Sequence, residues 1–263
     1  MNPILAVASY FAERIKVNSI SCEVRDGRRI WIKHRRRSAR LTLACANRFF
    51  RLAGNPLQAL TDLPTWQNWE VECFRNLHGA DYHAFAHGMR AVAAEEVPGT
   101  SLAKHLDRGT LTPAMTSAAA TELRRCHDTR CAVFGSQWSH GDPHAGNFIY
   151  DEAADRARLI DFEVVHDAAL SGSERHADDL LVFLQDVIGR VPAEAWLPLA
   201  TAFLNAYDQP EVVARLASRL AVPRGIPRLW WAVRTTYLPG AELSRRLDQL
   251  RETLVPRGVT AQA

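Results

Sequence analysis

The chain has 263 residues and a mass of 29.4 kDa, with 47% hydrophobic and 23% charged residues. This composition is ordinary for a globular protein, excludes collagen-like, coiled-coil and disordered classes, and suits one large domain or two closely joined ones. The net charge of +3 does not require a nucleic acid partner, and apolar runs such as Leu180–Leu184 are too short to span a bilayer.

The cysteines and the first residues indicate the compartment. Five cysteines are scattered along the chain without a CxxC pair, so their spacing indicates neither a disulfide framework nor a zinc site. The sequence opens Met1-Asn2-Pro3, without the basic region and cleavage site of a secretory signal. We therefore expect a cytoplasmic protein whose cysteines are reduced core residues.

The first elements in chain order are a short entry segment, helical or irregular, over Asn2–Arg14 and then a β-hairpin. Two predicted strands, Ser19–Val24 and Arg28–Lys33, flank an Asp-Gly pair, which is typical of a tight hairpin turn. Alternation in the second strand places Ile30 and Ile32 on one face.

A helix is predicted next, over Ser38–Leu52. Its expected core face carries Leu41, Cys45, Phe49 and Leu52, which recur at helical spacing. The basic stretch His34–Arg51 is either a solvated face or a candidate for docking on an anionic membrane or an acidic glycolipid.

A linker over Asn55–Thr65, a helix over Trp66–Leu77 and a strand over Arg90–Val97 complete the first part of the chain. Pro98-Gly99 then interrupts the pattern, and helical periodicity dominates the remainder. The later elements are a short strand over Arg158–Phe162 and helices over Pro113–Cys126, Asp178–Ile188, Pro192–Tyr207, Pro210–Leu220 and Arg228–Thr253. The order predicts an α+β fold with a small, partly β N-terminal lobe (residues 1–97) and a larger, mostly helical C-terminal lobe (residues 98–263).

Two carboxylates and a carboxamide carry the clearest chemical signal. Asp142 and Asn147 stand five residues apart in a polar loop, and Asp161 ends the short predicted strand. Such oxygen ligands suit Mg²⁺, which keeps waters and substrate phosphates in its shell. One of the carboxylates could instead accept the proton of an attacking hydroxyl group.

The segment His140-Gly141-Asp142, followed by Asn147 and then by Ile160-Asp161-Phe162-Glu163, resembles the catalytic and metal-binding loops of the protein-kinase-like fold. The resemblance is to the atypical branch, which includes aminoglycoside and choline phosphotransferases, RIO-type kinases and lipopolysaccharide (Kdo) kinases. It implies a bilobal protein-kinase-like fold that uses ATP and Mg²⁺. Asp142 would be the catalytic base or the residue that orients the acceptor hydroxyl, and Asn147 and Asp161 would be metal ligands.

The same resemblance suggests the nucleotide-binding residues. Lys33 ends the second strand, where the family carries the lysine that holds the α- and β-phosphates, and lysine is scarce among the 32 cationic residues. The helix of residues 66–77 resembles the one whose glutamate pairs with that lysine, and Glu70 fits its apolar spacing better than Glu72. Glu96 and Val97 resemble the hinge whose backbone binds adenine.

Further family features concern the helix that follows the catalytic loops and two departures from the family pattern. One residue of the pair Asp178-Asp179 would anchor the catalytic loop. No glycine precedes Gly27, so the glycine-rich phosphate loop is missing, and Glu163 replaces the usual glycine and could contact a second metal ion. The segment over residues 164–177 is too short for a regulated activation loop.

The resulting hypothesis is an ATP- and Mg²⁺-dependent phosphotransferase that acts on a sugar, a glycolipid or another small hydroxyl compound, most like the lipopolysaccharide-kinase branch. It would be cytoplasmic or peripheral to the inner face of the membrane, with no nucleic acid partner. Three alternatives stay open: a RIO-like atypical Ser/Thr protein kinase, a nucleotide-binding pseudokinase, and a membrane- or RNA-binding adaptor that uses the arginine-rich stretch.

Overall fold

The computed structural model describes residues 17–236 and 238–254, so the entry segment predicted over Asn2–Arg14 lies outside the described residues. The chain divides into two compact units. The first contains the described residues up to Pro98 together with Ile160–Asp167, and the second contains Gly99–Leu159 and the described residues from Ala168 onward. Strands and helices occur in the mixture predicted, and the α+β class is confirmed.

The strands are short and the helices longer. In chain order the strands are β1 (Asn18–Arg25), β2 (Arg28–Arg35), β3 (Leu57–Ala59), β4 (Ala84–His87), β5 (Ala91–Glu95), β6 (Thr100–Ser101), β7 (Arg130–Cys131), β8 (Ser136–Gln137), β9 (Phe148–Asp151), β10 (Arg156–Leu159) and β11 (Val164–His166). The helices are α1 (Ala39–Leu52), α2 (Leu63–His78), α3 (Leu102–Arg108), α4 (Pro113–His127), α5 (Gly172–Arg190), α6 (Trp196–Tyr207), α7 (Pro210–Ala217), α8 (Ile226–Arg234) and α9 (Gly240–Leu254). None of the helices in the described part of the chain is long and apolar enough to cross a membrane.

An antiparallel sheet with the order β1-β2-β5-β4 forms the main β element of the first unit. The β1–β2 hairpin turns at Asp26 and Gly27, whose φ angles of 51° and 77° are those that a tight turn requires. Ile30 and Ile32 are buried on the inner face of β2, as the alternation predicts. A second, two-stranded sheet pairs β3 with β11.

Helix α1 turns a different face to the core from the one that its sequence suggests. Leu43 and Phe50 are buried, while Leu41 and Leu52 are 74% and 58% exposed. The prediction was wrong because aliphatic residues lie on both sides of this helix, and tertiary packing rather than periodicity selects between them.

Helix α2 begins at Leu63, earlier than predicted, because the Asp62 carboxylate accepts a hydrogen bond from the Thr65 backbone and a proline occupies the first turn. Its buried face includes Trp66, Trp69, Val71, Cys73, Phe74 and Leu77. This packing fixes the rotation of the helix about its axis and therefore which of its polar residues turn inward.

The second unit is organised around α5. A capping box starts the helix, since the Ser171 hydroxyl accepts from the Glu174 backbone and the Glu174 carboxylate accepts from the Ser171 backbone. The middle of the helix is buried on all sides, including Leu180, Phe183 and Leu184. Contacts with α6, α7 and α8 surround it.

Several predicted bounds are corrected. The strand expected over Arg158–Phe162 ends at Leu159, and the helix expected over Arg228–Thr253 is two helices, α8 and α9, because Pro239 cannot continue a helix. All five cysteines are free, but Cys22 and Cys45 are exposed rather than buried in the core.

Candidate functional site

Lys33 lies at the centre of the cluster of charged residues in the first unit. Its ammonium group donates hydrogen bonds to Glu70 and, at 2.5 Å, to Asp161, and it lies 3.3 Å from Glu163. Burial lowers the pKa of Lys33, but the carboxylates of Asp161, Glu70 and Glu163 outweigh burial and raise it well above its usual value. Lys33 is therefore a fixed positive charge, and it joins residues 37 and 128 positions away in sequence.

Helix α2 supplies the partner that the sequence favours. Glu70 is 6% exposed on the core side of the helix, where it meets Lys33, while Glu72 points to solvent. Two residues along a helix are separated by about 200°, so the packing of Trp69 and Cys73 decides which glutamate turns inward.

Asp161 lies two residues beyond the end of β10, not on a strand as predicted. Its φ of 72° is in the left-handed region, which a non-glycine residue seldom adopts. Phe162 next to it is buried at 1% exposure. This local backbone places the Asp161 side chain against Lys33 and keeps it 38% exposed, so one carboxylate is both held and open to solvent.

Glu163 completes the cluster. It accepts a hydrogen bond from the Asn18 side chain and lies 4.0 Å from the Arg35 guanidinium. Burial, together with the nearby negative charge of Asp161, raises the pKa of Glu163 to about 7 despite the attraction of Lys33. A further positive charge beside Glu163 would lower this pKa again and keep the carboxylate ionised.

The donor set fits a divalent cation. Glu70, Asp161 and Glu163 each offer an oxygen atom, and the three oxygens lie within 4.8 Å of one another. The carboxyl groups of this cluster face the Lys33 ammonium, with the Arg35 guanidinium 4.0 Å from Glu163. Hard oxygen ligands of this kind are the ones that Mg²⁺ takes, usually one or two carboxylates with waters and phosphates.

The candidate hinge follows β5. The Glu96 backbone N–H already donates to the Arg29 carbonyl at 2.9 Å, and the Glu96 carboxylate accepts from the Trp31 indole and pairs with Arg29. Val97 is buried. The Glu96 backbone amide is therefore already engaged in a hydrogen bond within the first unit.

The second unit contains the catalytic loop suggested by the sequence. The Asn147 side chain donates to the Asp142 backbone carbonyl at 2.9 Å, which ties together the two residues five positions apart. The His140 ring accepts from the Asp142 backbone, and the His144 ring accepts from the Gly146 backbone. Both histidines are thus used within the loop, while the Asp142 side chain stays 34% exposed.

Asp179 anchors this loop. Its carboxylate is fully buried and accepts hydrogen bonds from the backbone of His140 and Gly141, each at 2.7 Å. His127 Nε2 lies 2.9 Å from the same carboxylate, and His127 Nδ1 lies 2.7 Å from the Tyr207 hydroxyl. Asp178 pairs instead with Arg219, so Asp179 is the anchoring member of the pair.

Arg234 was missed by the sequence reasoning. It extends from the last turn of α8, donates to the Asp142 carboxylate at 2.5 Å and stacks on Trp230 at 4.6 Å. No sequence signal marked it, since arginine supplies most of the 32 cationic residues. The guanidinium fixes the orientation of the carboxylate that the resemblance assigns as the base.

Comparison with known proteins gives similarity only at the level of structure, because no family model and no curated protein matches the sequence. The chain is similar to Rv3197 from Mycobacterium tuberculosis, solved with erythromycin, at 16% identity and a TM-score of 0.40, with 90% of this chain and 71% of that chain covered. It is also similar to the Plasmodium vivax ethanolamine kinase Pv091845, at 10% identity and a TM-score of 0.44, with 96% and 87% covered.

Proposed function

We propose that the protein is an ATP- and Mg²⁺-dependent phosphotransferase that moves the γ-phosphoryl group to a hydroxyl acceptor. The observation that carries the proposal is the contact of Lys33 with both Glu70 and Asp161. Phosphoryl transfer on a protein-kinase-like fold requires a strand lysine, a helix glutamate that pairs with it, and a metal-binding aspartate. Lys33, Glu70 and Asp161 are candidates for these three parts.

Each member of the cluster has a distinct task in this reaction. Glu70 holds the Lys33 ammonium in place, and Lys33 binds the α- and β-phosphates as a compact charge. Asp161 holds the Mg²⁺, with Asn147 as the second ligand that the resemblance implies and Glu163 as a further carboxylate of the cluster. When bound, Mg²⁺ neutralises charge on the phosphate oxygens.

Asp142 accepts the proton of the acceptor hydroxyl. Its backbone is held by Asn147 and its carboxylate by Arg234, and Asp179 secures the two residues before it. A base held in one orientation loses less freedom when the reaction occurs, which is the benefit of such preorganisation. Adenine would bind along Glu96 and Val97.

The acceptor that we propose is a sugar, a glycolipid or another small hydroxyl compound. Strand β11 begins at Val164, immediately after Glu163, and pairs with β3. The chain therefore returns to a sheet where regulated protein kinases carry a long activation loop, which argues against a peptide acceptor. We place the protein in the cytoplasm or at the inner face of a membrane, as expected for a kinase of the lipopolysaccharide-kinase branch.

The first test is thermal unfolding with and without Mg·ATP. Ligand at about a hundred times its Kd should stabilise the wild type by about 2.7 kcal/mol, a rise in Tm of several degrees. Asp161→Asn and Glu70→Gln should lose most of this rise. Glu72→Gln, which changes an exposed glutamate of the same helix, should keep it. A rise that is equal in all four proteins would contradict the assignment of the cluster.

The second test is turnover with a panel of sugar, lipid and peptide acceptors. Asp142→Asn should lower kcat by about 10² to 10⁴ fold while the Mg·ATP shift persists, because a general base contributes about that much. Asp248→Asn, at an exposed carboxylate paired with Arg251, is the matched control and should leave turnover unchanged. Phosphorylation of peptides alone would favour a RIO-like protein kinase.

A nucleotide-binding module without turnover is the second candidate, and one observation favours it. The β1–β2 hairpin closes through the two-residue turn at Asp26-Gly27, without a glycine-rich segment that could cover phosphates. Such a module would show the Mg·ATP shift and no product with any acceptor. The Asp142–Arg234 contact and the Asp179 anchor speak for catalysis, because nucleotide binding alone needs no base.

A further inference from the structure

A second charged feature of the first unit is a cavity of about 380 Å³ lined by arginines. Four guanidinium groups line it, and Asp62 is the single acidic residue among its lining residues. The arginines come from the end of β2, the start of α1 and the residue before β5: Arg35, Arg37, Arg40 and Arg90. None of the four arginines has a role in the phosphoryl transfer proposed above, although Arg35 lies 4.0 Å from Glu163.

Arg35 is built into the wall. It is 4% exposed, its Nε donates to Asn18, its Nη1 donates to the Leu60 carbonyl, and its plane stacks on Trp66 at 4.1 Å. Its Nη2 is buried, lies 4.0 Å from Glu163 and has no hydrogen-bond partner within the described part of the chain. A buried charged donor without an acceptor is costly, so an acceptor that reached it would be stabilised.

The other three guanidinium groups differ in how firmly they are held. Arg90 is fixed, since it donates to the backbone carbonyls of Arg35 and Arg36. Arg37 and Arg40 are exposed near the start of α1, and neither forms an ion pair with a carboxylate of the described residues. Two fixed and two adaptable cations therefore face one cavity.

The single lining carboxylate, Asp62, interacts electrostatically with Arg40 and offsets only part of the four positive charges. Asp62 accepts from the Thr65 backbone at 3.0 Å and from the Thr65 hydroxyl at 2.7 Å, so it caps α2. Helices α1 and α2 both begin at this wall, with Ala39 and Leu63 among its lining residues, and the amino ends of helices favour negative charge. The cavity thus has a strong net preference for an anion.

We propose that this cavity binds a phosphate-bearing ligand, either a soluble phosphomonoester or a phosphomonoester headgroup. Guanidinium forks match the geometry of phosphate oxygens, and several converging arginines suit a doubly charged group better than a carboxylate. The volume accepts the phosphate together with part of its carrier. Binding here requires neither ATP nor Mg²⁺.

The experiment measures binding of inorganic phosphate and pyrophosphate to the full chain by calorimetry, without nucleotide or metal. Arg37→Ala/Arg40→Ala removes two exposed charges from the cavity. Arg48→Ala/Arg51→Ala removes two charges from the same helix outside the lining and is the control. We expect the first double variant to weaken binding at least about tenfold, a loss of about 1.4 kcal/mol, and the control to bind like the wild type.

A second arm separates the two sources of the phosphate. Phosphatidylcholine vesicles with a minor fraction of phosphatidic acid test the headgroup, and the same vesicles with phosphatidylglycerol test charge without a phosphomonoester. Binding of free phosphate supports the proposal with a soluble phosphomonoester as the source. Recruitment by phosphatidic acid but not by phosphatidylglycerol supports it with a lipid headgroup as the source. Equal losses of phosphate binding in both double variants would overturn it. So would the absence of phosphate binding together with equal recruitment by both lipids or by neither. Failure of ATP binding would leave these outcomes unaffected.

Discussion

At the scale of single residues, the informative feature is how few groups hold the candidate site together. Lys33 satisfies two carboxylates at once, and Arg234 holds Asp142. Arginine could not replace the lysine without change, because a planar guanidinium cannot enter the space that an ammonium fills between Glu70 and Asp161. The rarity of lysine in this chain made Lys33 visible in the sequence, and the abundance of arginine hid Arg234.

Arg234 gives the prediction that belongs to this scale. Arg234→Gln should lower kcat by about tenfold with little change in KM for ATP, because the Asp142 carboxylate would lose its fixed orientation, and a tenfold effect is about 1.4 kcal/mol of barrier. Steady-state kinetics with an acceptor identified by the proposed panel would measure this change in kcat.

Arg234→Lys supplies the control for charge, since it keeps the cation and loses the stacking on Trp230. It should recover part of the lost turnover. A variant Arg234→Gln with higher kcat than the wild type would show the opposite role, a cation that obstructs Asp142 instead of positioning it.

At the scale of elements, the close approach of two backbones explains the presence of a glycine in α5 better than helix propensity does. Gly189 lies in the last turn of α5, next to its final residue Arg190. A Cβ at this position would lie 2.5–2.6 Å from backbone atoms of Thr235. The glycine therefore permits the chain just after α8 to pack against α5, and Thr235 immediately follows Arg234.

Gly189→Ala should accordingly destabilise the protein despite the better helix propensity of alanine. We expect the free energy of unfolding to fall by about 1–3 kcal/mol, as for other overpacked sites. Thermal unfolding would record a drop in Tm of roughly 2–4 °C for each kcal/mol. Turnover should also fall, because the shift would reach Arg234.

The matched control is Gly172→Ala at the start of the same helix. There the nearest atom to an added Cβ is the side-chain oxygen of Gln137 at 3.3 Å, which can move. Its Tm should stay close to that of the wild type. An equal loss of Tm in both variants would show that alanine destabilises helix α5 in general, and that the contact with Thr235 is not the cause.

At the scale of the whole molecule, a buried histidine network should make stability depend on pH. His176 stacks on His127 at 3.8 Å and lies 2.9 Å from the Trp138 carbonyl. Burial lowers the pKa of His176 to about 3, helped by His127 and Arg175 and opposed by Asp179 and by the Trp138 contact. The folded state thus keeps His176 neutral.

The direction of the pH effect follows from this shift. Between about pH 6.5, the usual histidine pKa, and pH 3, the unfolded chain binds a proton at His176 and the folded chain does not. Stability from this group is complete above pH 6.5 and falls as pH decreases, by at most about 1.4 kcal/mol per pH unit.

Urea unfolding at several pH values would measure this dependence, and His176→Gln should flatten it, since glutamine can donate to the Trp138 carbonyl without titrating. A wild type and a His176→Gln variant with the same slope between pH 6.5 and pH 4 would show that His176 does not cause the loss.

The sequence alone determined the hairpin at Asp26-Gly27, the start of α4 at Pro113 and the choice of Asp142, Asn147 and Asp161 as residues to examine. These follow from local turn chemistry, capping and spacing, which act over a few residues and are therefore readable in the chain. Lys33 and Glu70 were nominated by the resemblance to the kinase-like family, together with the scarcity of lysine and the apolar spacing around Glu70.

Only the tertiary structure decided what those residues contact. Glu70 and not Glu72 contacts Lys33, and Asp179 rather than Asp178 anchors the loop. The buried face of α1 is opposite to the one expected, and Arg234 contacts Asp142. In each case two or more residues of similar chemistry competed locally. The choice was made by packing between elements distant in sequence, which no local pattern records.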